Sequence, residues 1–267
     1  MSHGMMTDRG SFMPDPIGGC NGAAPIGSRS GALRVRGPPP FGVRPGALST
    51  TMDIEQARFN MVEQQIRTWE VLDQDVLDLL FTVRREDFVP SAYRLLAFAD
   101  LEIPLGDGVK MWAPRMEARV VQELQLGPGE SVLEIGTGSG YLTALLASRG
   151  SRVTSVDINP RLSAQAKGRL DRAGIGSVEL AVGDGARGWG NATYDAIVLT
   201  GSTPALPDAF IRQLSPGGRV FAVVGEPPAM GAQLVSWIAS GALAKRILFE
   251  TVLDPLENAG PPPRFEF

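Results

Sequence analysis

Val132-Leu133-Glu134-Ile135-Gly136-Thr137-Gly138-Ser139-Gly140-Tyr141 joins an apolar run, an acid and a turn with glycine at every second position, ahead of the helical-looking Leu142 to Ala147. That pattern reads as a buried strand, a tight turn and a helix start. Glycine suits the turn because it accepts positive φ and lets a ligand approach the backbone closely. The helix N-terminus beyond it is expected to offer free N–H groups to a carboxylate or phosphate.

Two ligand classes use such a turn. The dinucleotide fingerprint is G-x-G-x-x-G, with the third glycine packing helix on strand. Here the spacing is G-x-G-x-G, and Tyr141 stands where that third glycine should fall. The form E-x-G-x-G-x-G instead resembles motif I of class I S-adenosylmethionine-dependent methyltransferases. That resemblance implies that Glu134 helps to hold the methionine end of the cofactor. Downstream, Val153 to Asp157 reads as a second strand ending in an acid, 21 residues after Gly136. Both nucleotide folds place a ribose-binding acid at about that distance. Val178 to Gly185 reads as a third strand ending in Asp184-Gly185, and the resemblance gives Asp184 the adenine amino group. Tyr194 to Leu199 and Leu214 to Gly225 supply a fourth and a fifth strand.

Strands and helices alternating over 131–225 predict an α/β fold, a doubly wound and mostly parallel sheet covered on both faces. The resemblance makes that sheet Rossmann-like, with a helical N-terminal extension. Asp53 to Arg67 carries apolar residues at helical spacing, and Asp53 with Gln56 resembles a capping box. A second helix is expected from Asp73, with Val76, Leu79 and Leu80 on one face. A third should begin at Pro114, run from Met116 to Leu126 and end at Gly127-Pro128-Gly129. Ala232 to Ile238 and Ala244 to Val252 look like two late strands joined by Ser240-Gly241-Ala242, and Phe265 and Phe267 are expected to dock on the sheet edge. The expected organisation is a tail, 1–51; a helical and substrate-loop region, 52–126; and a cofactor-binding α/β region, 127–267.

Residues 1–51 hold ten glycines and seven prolines without a period, a composition of disordered chain. Met52 precedes the first helix, so translation is expected to start there. The single His3 and the single Cys20 both lie in this tail. The remainder therefore has no thiol nucleophile, no disulfide, no Cys/His metal site and no imidazole base. It holds 20 basic and 27 acidic residues, which disfavours nucleic acid as a partner. No apolar run approaches the ~18 residues of a membrane span. A cytoplasmic monomer that holds no metal is expected.

Further segments narrow the resemblance. Met61-Val62-x-x-Gln65-Ile66, Val83-Arg84-Arg85-Glu86-Asp87-Phe88-Val89-Pro90, Ala92-Tyr93, and Asp100 before Ile103-Pro104-Leu105-Gly106 follow in order. With motif I, Gly183-Asp184-Gly185, Thr200 with Pro204 and Pro207, and Leu214-x-Pro216-Gly217-Gly218-Arg219, the chain resembles the protein-L-isoaspartate O-methyltransferase family over about residues 55–225. The family methylates the free α-carboxylate of isoaspartyl residues in damaged protein, and the ester then closes to a succinimide that reopens partly as aspartate. A carboxylate with an ordinary pKa of about 3.5 is already ionised at neutral pH, so no general base is required. Positioning can supply most of the rate. The resemblance implies S-adenosylmethionine as cofactor, a protein or peptide carrying isoaspartate as partner, and cofactor contacts at Glu134, Gly136, Thr137, Gly138, Gly140, Tyr141, Asp157, Ile158, Asp184 and Gly185.

The substrate loop departs from the family pattern Gly-Gln-Thr-Ile-Ser-x-Pro. This chain reads Gly108-Val109-Lys110-Met111-Trp112-Ala113-Pro114. Lys110 replaces Thr, Trp112 replaces the Ser regarded as the active-site hydroxyl, and Val223 replaces a Pro before Val-Gly. No catalytic residue is assigned. The substrate-loop candidates are Lys110, Met111, Trp112 and Thr200. Lys110 either holds a substrate carboxylate by charge or is simply solvated, and the solvated state is the expectation. Trp112 either lies over the sulfonium or packs the loop shut. Two alternatives follow: a family member re-targeted to another small or peptidic acceptor, and a cofactor-binding protein that does not catalyse transfer.

Overall fold

The computed structural model describes residues 53–238 and 241–260. The readings of the tail, of Ser240 in the last turn and of Phe265 and Phe267 lie outside the described residues. The described residues fall in one compact unit.

Its frame is a seven-stranded sheet of order β5-β4-β3-β6-β7-β8-β9. The strands are β3 (Ser131–Ile135), β4 (Arg152–Asp157), β5 (Val178–Val182), β6 (Tyr194–Thr203), β7 (Leu214–Glu226), β8 (Ala229–Trp237) and β9 (Leu243–Glu250). β5, β4, β3, β6 and β7 pair in parallel, whereas β8 runs antiparallel to both β7 and β9. The chain winds outward from β3 through β4 to β5, then returns to β6 on the other side of β3. The order therefore reverses between β3 and β6, and the carboxyl ends of these two strands open the crevice where α/β sheets bind ligands.

Alternation along the central strands fills two cores. Val132, Val198 and Phe221 point to one face, with buried residues of the helices α2 (Gln74–Thr82), α3 (Pro114–Leu124), α4 (Tyr141–Ser148) and α5 (Pro160–Ala173). Leu133, Ile135, Ile197 and Val220 point to the other, which receives Phe210 of the short α6 (Asp208–Arg212). Burial on both faces explains why these strands read as continuous apolar runs.

Local chemistry sets the ends of the elements. Asp53 accepts from the N–H groups of Glu55 and Gln56 to cap α1 (Ile54–Met61). The reciprocal half of the expected capping box does not form, because the Gln56 amide turns to Asn60 at 2.9 Å. The coil then widens to a π-turn over Val62–Ile66 and tightens to a 3₁₀ turn over Arg67–Trp69, so the expected single helix has three parts. Asp73 caps α2 in the same way as Asp53. Pro114 opens α3, but the helix ends at Leu124, where Gln125 takes a left-handed φ of 47° ahead of the glycines.

A two-stranded hairpin of β1 (Ile103–Gly106) and β2 (Val109–Met111) lies outside the main sheet. Its turn, Asp107-Gly108, has both φ angles positive (54° and 77°), the geometry for which Asp-Gly is favoured. The substrate-loop candidates Lys110 and Met111 thus sit on a strand, and Trp112 follows it directly.

Candidate functional site

A cavity of about 620 Å³ opens at the carboxyl ends of β3 and β6. Glu134, Gly136, Thr137, Gly138, Asp157, Ile158, Asp184 and Gly185 line it, together with Lys110, Met111, Trp112 and Thr200. Gly140 and Tyr141 do not. Gly140, at φ 84°, opens α4, and a Cβ there would lie 3.1 Å from the Ala166 Cβ, so its missing side chain lets α4 approach α5. Tyr141 points away from the cavity. Its buried ring lies 5.5 Å from Phe88 and 5.2 Å from the Arg85 guanidinium carbon. Burial pushes its phenol well above the ordinary range.

The glycine turn is held by its own bonds. The N–H of Gly136 donates to the Val156 carbonyl at 2.7 Å, that of Gly138 to the Asp157 carboxylate at 2.8 Å, and that of Tyr141 to Ser139 Oγ at 3.1 Å. These donors are spent on shaping the turn, whereas the N–H groups of Leu142 and Thr143 at the helix start have no partner among the described residues. Gly136 has φ 100°, and an added Cβ would stand 2.0 Å from Thr200 Oγ1. That hydroxyl donates to the carbonyls of Ile135 and Gly136, each at 2.8 Å, so Thr200 braces the turn from β6.

Three of the acids on the cavity wall are those that end the first three strands read from the sequence. Glu134 is fully buried, and its Oε2 accepts from Ser155 Oγ at 2.6 Å and from Thr143 Oγ1. Its Oε1 has no partner among the described residues. Burial raises the Glu134 carboxyl to about 7, the nearby Asp157 charge adds to the rise, and the two hydroxyls oppose it. Asp157 is 6 % exposed and uses its two oxygens on the backbone N–H groups of Gly138 and Asn159, both at 2.8 Å. Asp184 is exposed, and accepts from the Ala186 N–H and from the Asn258 amide, each at 3.0 Å.

The opposite wall comes from segments distant in sequence. Arg85, fully buried, pairs with Glu117 of α3, donates to the Ala97 carbonyl at 2.9 Å and to the Trp112 carbonyl at 2.6 Å. It fixes the point at which the hairpin enters α3. Burial pulls its guanidinium down to about 10, which leaves it charged at neutral pH. Trp112 is 6 % exposed and sets its ring edge-on to Phe221 at 6.4 Å, so it both packs into the core and faces the cavity. Lys110 is exposed, as expected, but it is not free. It pairs with Asp254 at 2.8 Å and Glu102 at 3.5 Å, and the Asp254 carboxylate raises its pKa.

Asp254 belongs to a segment that sequence reasoning missed. Residues 253–258 return across the carboxyl end of β6, where the Ser202 N–H donates to the Asp254 carbonyl and the Leu256 N–H to the Ser202 carbonyl, both at 2.9 Å. Gly201 admits this segment, since a Cβ there would meet Leu256 at 2.8 Å. No local pattern announces the segment. The Asp107-Gly108 pair, by contrast, could have announced the hairpin.

The profile of the family described as Protein-L-isoaspartate(D-aspartate) O-methyltransferase matches residues 56–256. A protein-L-isoaspartate O-methyltransferase of Methylorubrum populi is 39% identical over 65% of this chain and 82% of its own. One of Aeropyrum pernix is 37% identical over 75% of this chain and 79% of its own. Two solved structures share the fold. One, from Plasmodium falciparum and described as a beta-aspartate methyltransferase in complex with S-adenosyl-L-homocysteine, has a TM-score of 0.64 at 19% identity and covers 76% of this chain and 97% of that one. A protein-L-isoaspartate O-methyltransferase structure has a TM-score of 0.65 at 24% identity, covering 78% and 67%.

Proposed function

The chain belongs to the protein-L-isoaspartate (D-aspartate) O-methyltransferase family, and from that premise we propose that it methylates the free carboxylate of isoaspartyl residues in damaged protein, with S-adenosylmethionine as donor. The observation that carries this reading is the buried Oε1 of Glu134, unpartnered among the described residues, on the wall of a cavity of about 620 Å³. A lone buried acceptor is costly unless a donor arrives, and the methionine ammonium is such a donor. The donor molecule supplies an electrophilic methyl group, so the acceptor carboxylate needs no activation by a base.

The remaining work falls to this chain's residues. Glu134 receives the ammonium, Asp157 the ribose hydroxyls and Asp184 the adenine amino group. Asp184 already accepts from the Asn258 amide, a donor of the same kind as that amino group. Thr200 keeps the turn in shape beneath the ligand. Trp112 and Met111, both buried, exclude water from the acceptor side. Lys110, held by Asp254 and Glu102, stands at the mouth, where exchanging one carboxylate for another costs little. A cytoplasmic, monomeric enzyme is part of the proposal, checked by cell fractionation and light scattering.

The test is label transfer from methyl-labelled S-adenosylmethionine to an isoaspartyl peptide and to its aspartyl twin. Transfer to the isoaspartyl peptide alone is expected. Confirmed cofactor binding with no transfer to either would sink the repair reading. The second reading, a re-targeted acceptor, rests on Trp112 filling space on the acceptor side. Gain of isoaspartyl activity on replacing Lys110 by Thr and Trp112 by Ser would favour it.

A further inference from the structure

A second cavity, of about 460 Å³, lies on the face formed by α5 and the 84–94 segment, and Glu86, Asp87, Ser91, Arg94, Arg169 and Arg172 line it. Its charges do not balance. Glu86 is paired with Arg58, and Asp87 with Arg94 at 3.3 Å. Arg169 and Arg172 have no carboxylate partner among the described residues. They lie three residues apart on α5, a spacing that puts both on one helix face. Arg169 is only 8 % exposed, yet its one acceptor among the described residues is the Ser139 carbonyl at 3.2 Å.

A guanidinium carries five N–H donors, so one carbonyl leaves most of the Arg169 fork open to the cavity, where it reaches solvent. Burial lowers its pKa, and the Arg172 charge beside it lowers it further. The helix C-terminus favours cations and accounts for Arg172 in the last turn. It does not account for a buried second arginine facing open space. Buried charges in proteins are paired or liganded.

We propose that Arg169 and Arg172, with Arg94 at the rim, form a binding site for a small multivalent oxyanion of the phosphate class. Arginine forks match phosphate oxygens two at a time, and the Ser91 hydroxyl supplies a further donor. Each wall carboxylate has an arginine partner, Glu86 in Arg58 (which Glu55 shares) and Asp87 in Arg94. Although Glu86 Oε2 has no hydrogen-bond partner among the described residues, the lining arginines still outnumber the carboxylates three to two. The occupant would sit one side chain from the glycine turn, because Arg169 also holds Ser139.

The test uses the full chain saturated with S-adenosylhomocysteine, so that the larger cavity is filled. Inorganic phosphate and glycerol 3-phosphate are each titrated calorimetrically at constant ionic strength, with chloride as control. Saturable one-to-one binding is expected for at least one of them. Arg172→Gln, an exposed change that spares the core, should weaken it at least tenfold, and Arg94→Gln less. Tighter binding of the ester would identify an ester occupant, and tighter binding of inorganic phosphate the free ion. Either upholds the site. Heat no different from chloride, or a Kd unchanged in Arg172→Gln, overturns it.

Discussion

The two walls of the main cavity are built on different principles. The wall formed by Glu134, the glycine turn and Asp157 comes from one run of chain and its neighbouring strand, tied by hydroxyls and backbone N–H groups within about 3 Å. The facing wall is assembled from residues near positions 85, 110 and 254, joined by ion pairs. The first is held by hydrogen bonds along one run of chain, at φ angles that glycine accepts. The second depends on one buried pair, Arg85–Glu117, and one exposed pair, Lys110–Asp254. The lesson is that the first wall holds its shape through local bonds, whereas the second depends on contacts made across the fold.

The comparison predicts the largest loss at Arg85. Replacing it by Leu leaves Glu117 buried without its partner, at a cost of about 3–5 kcal/mol. Thermal unfolding should shift down by about 10 °C, and a second change, Glu117→Leu, should recover much of it. An unchanged Tm would show that the pair does not hold the acceptor wall.

Gly136→Ala probes the other wall. The added methyl meets Thr200 Oγ1 at a left-handed φ, for about 2–3 kcal/mol of strain and overpacking. Adding Thr200→Ala should restore part of the stability, since it removes the clash but not the φ penalty. Full restoration, read from denaturant midpoints, would mean that the backbone conformation costs nothing.

A proton sharpens the contrast further. Glu134 in the folded protein titrates near 7, raised from 4.5 by burial. The folded state therefore favours the protonated form. Its contribution to stability is complete below about 4.5 and is lost as pH rises through about 7. An arriving ammonium prefers the ionised form, so S-adenosylhomocysteine affinity should rise up to about tenfold from pH 6 to pH 8. Glu134→Gln should flatten that profile. A wild-type profile already flat would place the ammonium elsewhere.

The smallest effect is expected at Lys110→Ala. The pair with Asp254 is exposed, and such pairs contribute little. Tm should stay within error, and a fall of several degrees would make the mouth a structural joint.

What was legible in the sequence divides along the same line. Glu134, Asp157 and the strands around them were readable because glycine spacing and apolar runs act over a few residues. Gly140 and Tyr141 are expected as cofactor contacts on the motif alone; in the fold neither lines the cavity, Gly140 lets α4 approach α5 and the Tyr141 ring packs beside Arg85. Both lie on the turn, and side-chain direction is settled by the helix start rather than by the motif. Lys110 is exposed as its type predicts, but nothing near it in sequence foretells its pair with Asp254, more than a hundred residues later. Arg85 was noticed for its surrounding segment, whereas its hold on the Trp112 carbonyl is a tertiary fact.

The 253–258 segment makes the entrance separable from the pocket behind it. Glu134, the glycine turn and Asp157 are tied together without it. Ser202, Lys110 and Asp184 all take partners from Leu253 to Asn258. A cut just before Leu253 would therefore leave the acids of the pocket in place behind an unfinished mouth.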